Sequence, residues 1–188
     1  MKPGASPEPA EAPARMPFPF RLWAAVAIMC LLAVSAYWRG YRINFTPSEP
    51  LGLWRIYPLD RPVAVGDLVF ICPRPSAETQ DAKARGYFRS GPCQGDYAPL
   101  IKRVVAVAGQ RVDVGSAVTI DGQALVFSDL CPVDGKGRRL RPAASGTVPT
   151  GSVFVYSSFP GSFDSRYFGP LPVEGILGLA EEILTDAP

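Results

Sequence analysis

From Leu22 to Trp38 the chain carries no charged residue, and no apolar run of comparable length returns after Arg42. The first stretch has the length of one long helix, set at residues 21–38. The remainder of the chain breaks into short apolar segments separated by Gly, Pro and polar clusters, the signature of strands and turns. Leu53–Tyr57 alternates, Asp67–Cys72 is a near-continuous β-type run, and Leu100–Ala108 is a long strand closed by Gly109. Val118–Ile120 and Ala124–Val126 flank Asp121-Gly122-Gln123, a hairpin signal. Ser152–Ser157 and Gly175–Ala180 supply the last strands, after a Gly-rich polar loop over 134–146. A single short helix is expected over Ser76–Arg85, with Ser76 as cap, Lys83 and Arg85 in its last turn and Gly86 as stop. The pattern predicts a mainly β domain over 45–184, carrying a polar insertion with that short helix at 74–92.

The uncharged run is seventeen residues, roughly 25 Å of helix at ~1.5 Å per residue, near the lower limit for crossing a bilayer. Trp23, Tyr37 and Trp38 stand at its ends, where an interfacial aromatic belt belongs. A retained transmembrane anchor is therefore expected, with a cleaved secretory signal as the competing reading. Arg15 and Arg21 precede the run and Arg39 and Arg42 come after it, so charge sets no orientation. The first twenty residues hold six prolines and little apolar surface. They are read as a disordered tail.

The chain contains no histidine, which removes a Ser-His-Asp triad, a Cys-His dyad and the usual zinc protease ligands. No metal and no cofactor is expected. A formal charge of +2 with no run of Lys and Arg gives no footprint for nucleic acid. Of four cysteines, Cys30 lies in the apolar run, and Cys72, Cys93 and Cys131 lie beyond it. Three pairings are open to those three. Cys72 and Cys93 bracket the polar insertion, which favours that bridge and leaves Cys131 free.

Three segments carry candidate chemistry. Ser48 stands between Pro47 and Pro50, whose rings fix their own φ and press Thr46 and Glu49 toward extended backbone. A stiff segment suits a nucleophile. Lys102 lies in the run Leu100-Ile101-Lys102-Arg103-Val104-Val105, sharing a strand face with Leu100, Val104 and Ala106 while Arg103 points away. Desolvation there would lower a lysine from ~10.4 into the range of a working base. Near the C-terminus, Ser162-Phe163-Asp164-Ser165-Arg166 packs hydroxyls, a carboxylate and a guanidinium between Gly161 and Gly169.

In that order, these segments resemble the signal peptidase family of Ser–Lys proteases. Within it they look closest to the TraF-type conjugal transfer peptidases, through Ser48-x-Pro50-x-Gly52-Leu53, Leu100-x-Lys102-Arg103-Val104 and Ser162 to Pro170. General leader peptidases usually carry Ser-Met-x-Pro and a Gly-Asp-Asn, where Ser48-Glu49-Pro50 and Ser158-Phe159-Pro160 stand here. The resemblance implies a signal-peptidase-like β fold, with Ser48 as nucleophile and Lys102 as general base. It also implies Ser162 as the hydroxyl that orients the lysine, and Asp164 with Arg166 as a bracing pair. Thr46 and the Ser48 backbone N–H would form the oxyanion hole. By the same resemblance, the protein is a single-pass enzyme of a bacterial inner membrane with its catalytic domain in the periplasm. Its implied partners are a pilin-like precursor, membrane lipid and conjugative pilus assembly proteins. General preprotein processing and a non-catalytic anchored scaffold are the alternatives.

Overall fold

The structure, a computed structural model, describes residues 18–186. The proline-rich tail read from the first twenty residues lies almost wholly outside them. Two compact units divide the chain, the second beginning at Arg39.

The first unit is helix α1, Phe18–Trp38. Its Ala, Leu and Met residues favour a helix, and over 22–38 only Val26, Ile28 and Val34 are β-branched. Trp23, Met29, Leu31, Leu32 and Trp38 are all exposed, so no single face is buried. Among the described residues, no helix is long and apolar enough to cross a membrane.

The second unit is mainly β. In chain order its elements are β1 Tyr41–Asn44, β2 Gly52–Tyr57, β3 Leu68–Ile71, α2 Ala77–Ala84, β4 Leu100–Val107 and β5 Arg111–Val114. Next come β6 Val118–Ile120, β7 Gln123–Ala124, β8 Gly146–Thr147, β9 Ser152–Tyr156, α3 Ser165–Phe168, β10 Leu171–Pro172 and β11 Ile176–Thr185. A seven-stranded sheet runs β1-β2-β11-β3-β4-β9-β10, and a four-stranded sheet runs β7-β6-β5-β8. Every pairing is antiparallel. The domain thus takes in β1, ahead of Phe45. Asp121 and Gly122 both have positive φ and close the β6–β7 hairpin as a primed turn.

β4 and β9 serve two cores at once. In β9 simple alternation does this: Val153 and Val155 pack with Val69, Ile71 and Leu171, while Phe154 and Tyr156 pack with Val112, Val118 and Val148. In β4 a register shift between Val104 and Ala106 does it. Val104 stays in the first cluster, whereas Val105 and Ala106 both join the second. Ala106 therefore departs from the face assigned to it by strict alternation, because a bulge adds one residue to the count.

The insertion carries its own small core of Ala82, Phe88, Cys93 and Tyr97. Ser76 caps α2, accepting from the Thr79 N–H at 3.2 Å while the Thr79 hydroxyl accepts from the Ser76 N–H at 2.8 Å. A disulfide joins Cys72 and Cys93 across 21 positions. Closing a loop of that size contributes roughly 3 kcal/mol. Cys131 is a free thiol.

Candidate active site

Ser48 lies in the connection between β1 and β2, which runs through a turn rather than an extended segment. Proline at φ ≈ −65° also suits the second position of a turn, so the flanking rings do not force extension. Pro47 and Pro50 lack N–H groups, which leaves the turn few donors of its own. Side chains supply the donors. The Asn44 amide donates from Nδ2 to the carbonyls of Thr46 and Glu49, each at 2.9 Å, and of Pro50 at 3.0 Å. The Trp54 indole N–H reaches the Pro50 carbonyl at 2.9 Å, and the Ser157 hydroxyl donates to the Ser48 carbonyl. Gly52 closes the Ser48-to-Leu53 box: with φ +136°, any Cβ there would collide with the Leu184 carbonyl.

Thr46 is half-buried beside this turn. Its backbone N–H and its hydroxyl both meet Asn44 Oδ1, at 3.0 and 2.7 Å. The hydroxyl proton is committed to that oxygen in this structure.

Lys102 sits mid-strand in β4, opposite Val69 of β3, and is 3% exposed. Burial pushes its ammonium down from 10.5 to about 8, opposed by the negative charges of Asp164 and Glu49 and aided by Arg166. Arg103, next to it, is exposed and donates to the Gly66 carbonyl at 2.8 Å. Glu49 is pushed up by its own burial, with Lys102 and Arg103 pulling the other way.

Asp164 and Arg166 are fully buried. The guanidinium forks onto the carboxylate, Nε to Oδ1 at 2.8 Å and an Nη to Oδ2 at 2.9 Å. Asp164 also caps α3 by accepting the Arg166 N–H, and it accepts the Ser157 N–H at 3.2 Å. Arg166 reaches the carbonyls of Asp129, Ser157 and Ser162 and lies over the Tyr156 ring, its carbon 4.9 Å from the centroid. Burial acts against its charge, but the hydrogen bonds and charge of Asp164 hold it above its usual value. Ser165 fixes the other end, its hydroxyl accepting the Val155 N–H at 3.0 Å.

Ser162 is buried, and its hydroxyl has no hydrogen-bond partner. The bond expected from it to Lys102 is therefore not made in this structure.

Thr46, Ser48, Lys102 and Ser162 all line one cleft of about 730 Å³, whose walls include Leu100, Tyr87, Phe163 and Tyr167. A second cleft, of about 400 Å³, also touches Ser48 and Lys102 and runs past Phe45 and Arg89. The structure thus brings the four to one cleft; Asp164 and Arg166 do not line it, but their charges act on Lys102. Among the described residues, no group of His, Cys, Asp or Glu could hold a metal ion.

The profile of the family described as signal peptidase, peptidase S26, matches residues 19–185. The chain belongs to the S26 signal peptidase family. It is 58% identical over 167 residues to a probable conjugal transfer protein TraF from Sinorhizobium fredii, covering 87% of this chain and 89% of that protein. Conjugal transfer protein TraF from Agrobacterium tumefaciens is 50% identical, over 89% of this chain and 95% of its own. A plasmid transfer protein TraF from Escherichia coli is 38% identical, over 82% and 89%. A solved signal peptidase I from Enterococcus faecalis aligns at a TM-score of 0.39 and 19% identity, over 63% of this chain and 97% of that one. Within the S26 family the chain is of the TraF type, a serine peptidase.

Two contributors escaped the sequence reading. Asn44 carried a signal, since an Asn two residues before a polar residue in a Pro-rich turn suits an Asx turn. Ser157 carried none, because its partner Ser48 is 109 positions away.

Proposed function

We propose that the protein is a Ser–Lys endopeptidase that processes an exported, pilin-like precursor in conjugation. One observation carries the reading: Ser48 and a buried Lys102, depressed to about 8, share one cleft. Neutral Lys102 accepts the Ser48 hydroxyl proton as Oγ attacks the peptide carbonyl. The C–N bond then breaks, and the leaving amine takes that proton from Lys102, which leaves an ester on Ser48. Water, deprotonated by neutral Lys102, attacks the ester, and Lys102 returns the proton to Ser48 Oγ as the new carboxyl group departs. The developing oxyanion needs donors, for which the Ser48 N–H and the Thr46 hydroxyl are the candidates. Thr46 would have to release Asn44 Oδ1 to serve. Ser162 stands ready as a donor or acceptor for Lys102, and Asp164 with Arg166 braces the site.

The substrate class rests on the relatives named for conjugal and plasmid transfer. Although α1 falls short of a full span over its described residues, we read it as the single-pass anchor in a bacterial inner membrane, with the catalytic domain in the periplasm, because its exposed apolar side chains are costly in water. A serine-directed acylating probe should label the full chain and not Ser48→Ala. Mass spectrometry of a co-encoded pilin precursor should show cleavage only with the wild-type enzyme. Equal processing of unrelated secretory precursors would favour general signal peptidase work instead.

A further inference from the structure

Asn44 is the last residue of β1, held in the ladder opposite Gly52 of β2. Its side chain alone bridges the whole Ser48 turn. The orientation of the amide is fixed by chemistry, since a backbone N–H can only donate and the Thr46 N–H meets Asn44 at one atom. That atom is therefore the oxygen, and the Thr46 hydroxyl at 2.7 Å must donate to it as well. The two amide protons are left for three carbonyls, those of Thr46, Glu49 and Pro50. These carbonyls flank Ser48 on both sides. Proline at 47 and 50 removes two of the N–H groups that could otherwise satisfy them.

We propose that Asn44 is a positioning residue for Ser48, holding the nucleophile turn and the Thr46 hydroxyl in one geometry from the end of β1. The proposal rests on Ser48 being the nucleophile. Its physical content is that Asn44 supplies most of the turn's side-chain hydrogen bonds, with Trp54 and Ser157 adding one each, so losing the amide moves Oγ relative to Lys102 without unfolding the sheet. A displacement near 1 Å at a reacting atom costs about 10²-fold in rate.

The test is the labelling rate of the full chain in detergent micelles by a serine-directed acylating probe. It is measured from pH 6 to pH 10 and expressed per folded molecule, alongside thermal melting. Asn44→Ala should lower the high-pH plateau by about 10²-fold with the midpoint of the profile unmoved. A lowered melting temperature with an unchanged plateau would make Asn44 a structural staple and overturn the proposal. A moved midpoint with an unchanged plateau would overturn it too, placing the effect on Lys102. If Asn44→Ala does not fold, Asn44→Asp keeps the shape and the acceptor for Thr46 but cannot donate to the carbonyls. It should lose about tenfold or more in plateau rate, and a wild-type plateau would overturn the idea. Failure of both variants to fold would assign Asn44 to the fold alone, which is also an overturn. Ser48→Ala separates the two readings. If it labels like wild type, the nucleophile assignment falls and takes this proposal with it. If it is silent while the Asn44 variants keep the wild-type rate, only this proposal falls.

Discussion

The surroundings of Lys102 and of Ser48 are built on opposite plans. Acting by charge on Lys102 is the Asp164–Arg166 pair, fully buried, forked, and tied to β9 and α3 through Ser157 and Ser165. Ser48, by contrast, rides a half-exposed turn held by the side chains of Asn44, Trp54 and Ser157. The acid–base property of Lys102 is therefore a property of the whole sheet, because burial sets it. The aim of Ser48 is a property of a few hydrogen bonds. Damage to the first should appear as lost stability, and damage to the second as lost rate in a folded protein.

The largest effect should come from the two groups proposed to react. Ser48→Ala, and Lys102→Arg, which cannot shed its proton, should each lower kcat by about 10⁴-fold or more. Precursor cleavage per folded molecule measures this. Substantial cleavage by Lys102→Arg would show that Lys102 serves only as a cation.

Next comes the bracing pair. Arg166→Met alone leaves Asp164 buried without its counterion, which should cost about 3–5 kcal/mol. The melting temperature should fall by roughly 6–20 °C. Replacing both, Asp164→Leu with Arg166→Met, should recover much of that loss, since the uncompensated charge is gone. If the single and double variants melt together, the surroundings of Lys102 owe nothing to the pair.

Ser157→Ala sits at the seam between the two surroundings. It removes the donor to the Ser48 carbonyl but keeps the backbone bonds to Asp164 and Arg166. About tenfold should be lost from kcat, with stability lowered by the worth of the two hydrogen bonds its hydroxyl makes, to the Ser48 carbonyl and from the Phe159 N–H, roughly 1–3 kcal/mol. A stability loss with unaltered kcat would move Ser157 to the structural side of the comparison.

The smallest test changes no residue. With Lys102 at about 8, kcat/KM should climb about tenfold between pH 7 and pH 9 as the amine becomes neutral. Stability carries a linked signature. The folded protein releases this proton near pH 8, and the unfolded chain holds it to ~10.5. Between those values the unfolded state binds more protons, so this group's contribution to stability rises with pH across that window and is flat below it.

The strands were legible wherever β-branched and aromatic residues ran together, as in Leu68–Ile71, Leu100–Val107 and Ser152–Tyr156. Asp121-Gly122 marked its hairpin for the same local reason. β1 and β5 are as short as Leu68–Ile71, but charged and polar residues break their apolar positions, so neither forms a β-type run. α3 hid because a single four-residue turn reads as a polar loop, and its cap, Asp164, was already spoken for by Arg166. At the site, Ser48 and Lys102 could be named as candidates from their immediate neighbours, and the family resemblance supplied the roles proposed for them. The groups that hold Ser48 could not be named so. The turn through Pro47 depends on an amide before it and a hydroxyl 109 residues later, and residue types alone encode no such distance.

The bulge in β4 gives that strand a phase. Lys102 and Leu100 must face the cleft, while Val105 and Ala106 must together face the smaller sheet. Only one surplus residue reconciles the two demands. Loss of Val105 would only remove the bulge, whereas one residue added to or taken from β4 elsewhere between Lys102 and Val107 would turn over everything on one side of the change. The strand therefore tolerates exchange of side chains far better than a change of length. Length variation is instead expected in 134–146, where no such phase has to be kept.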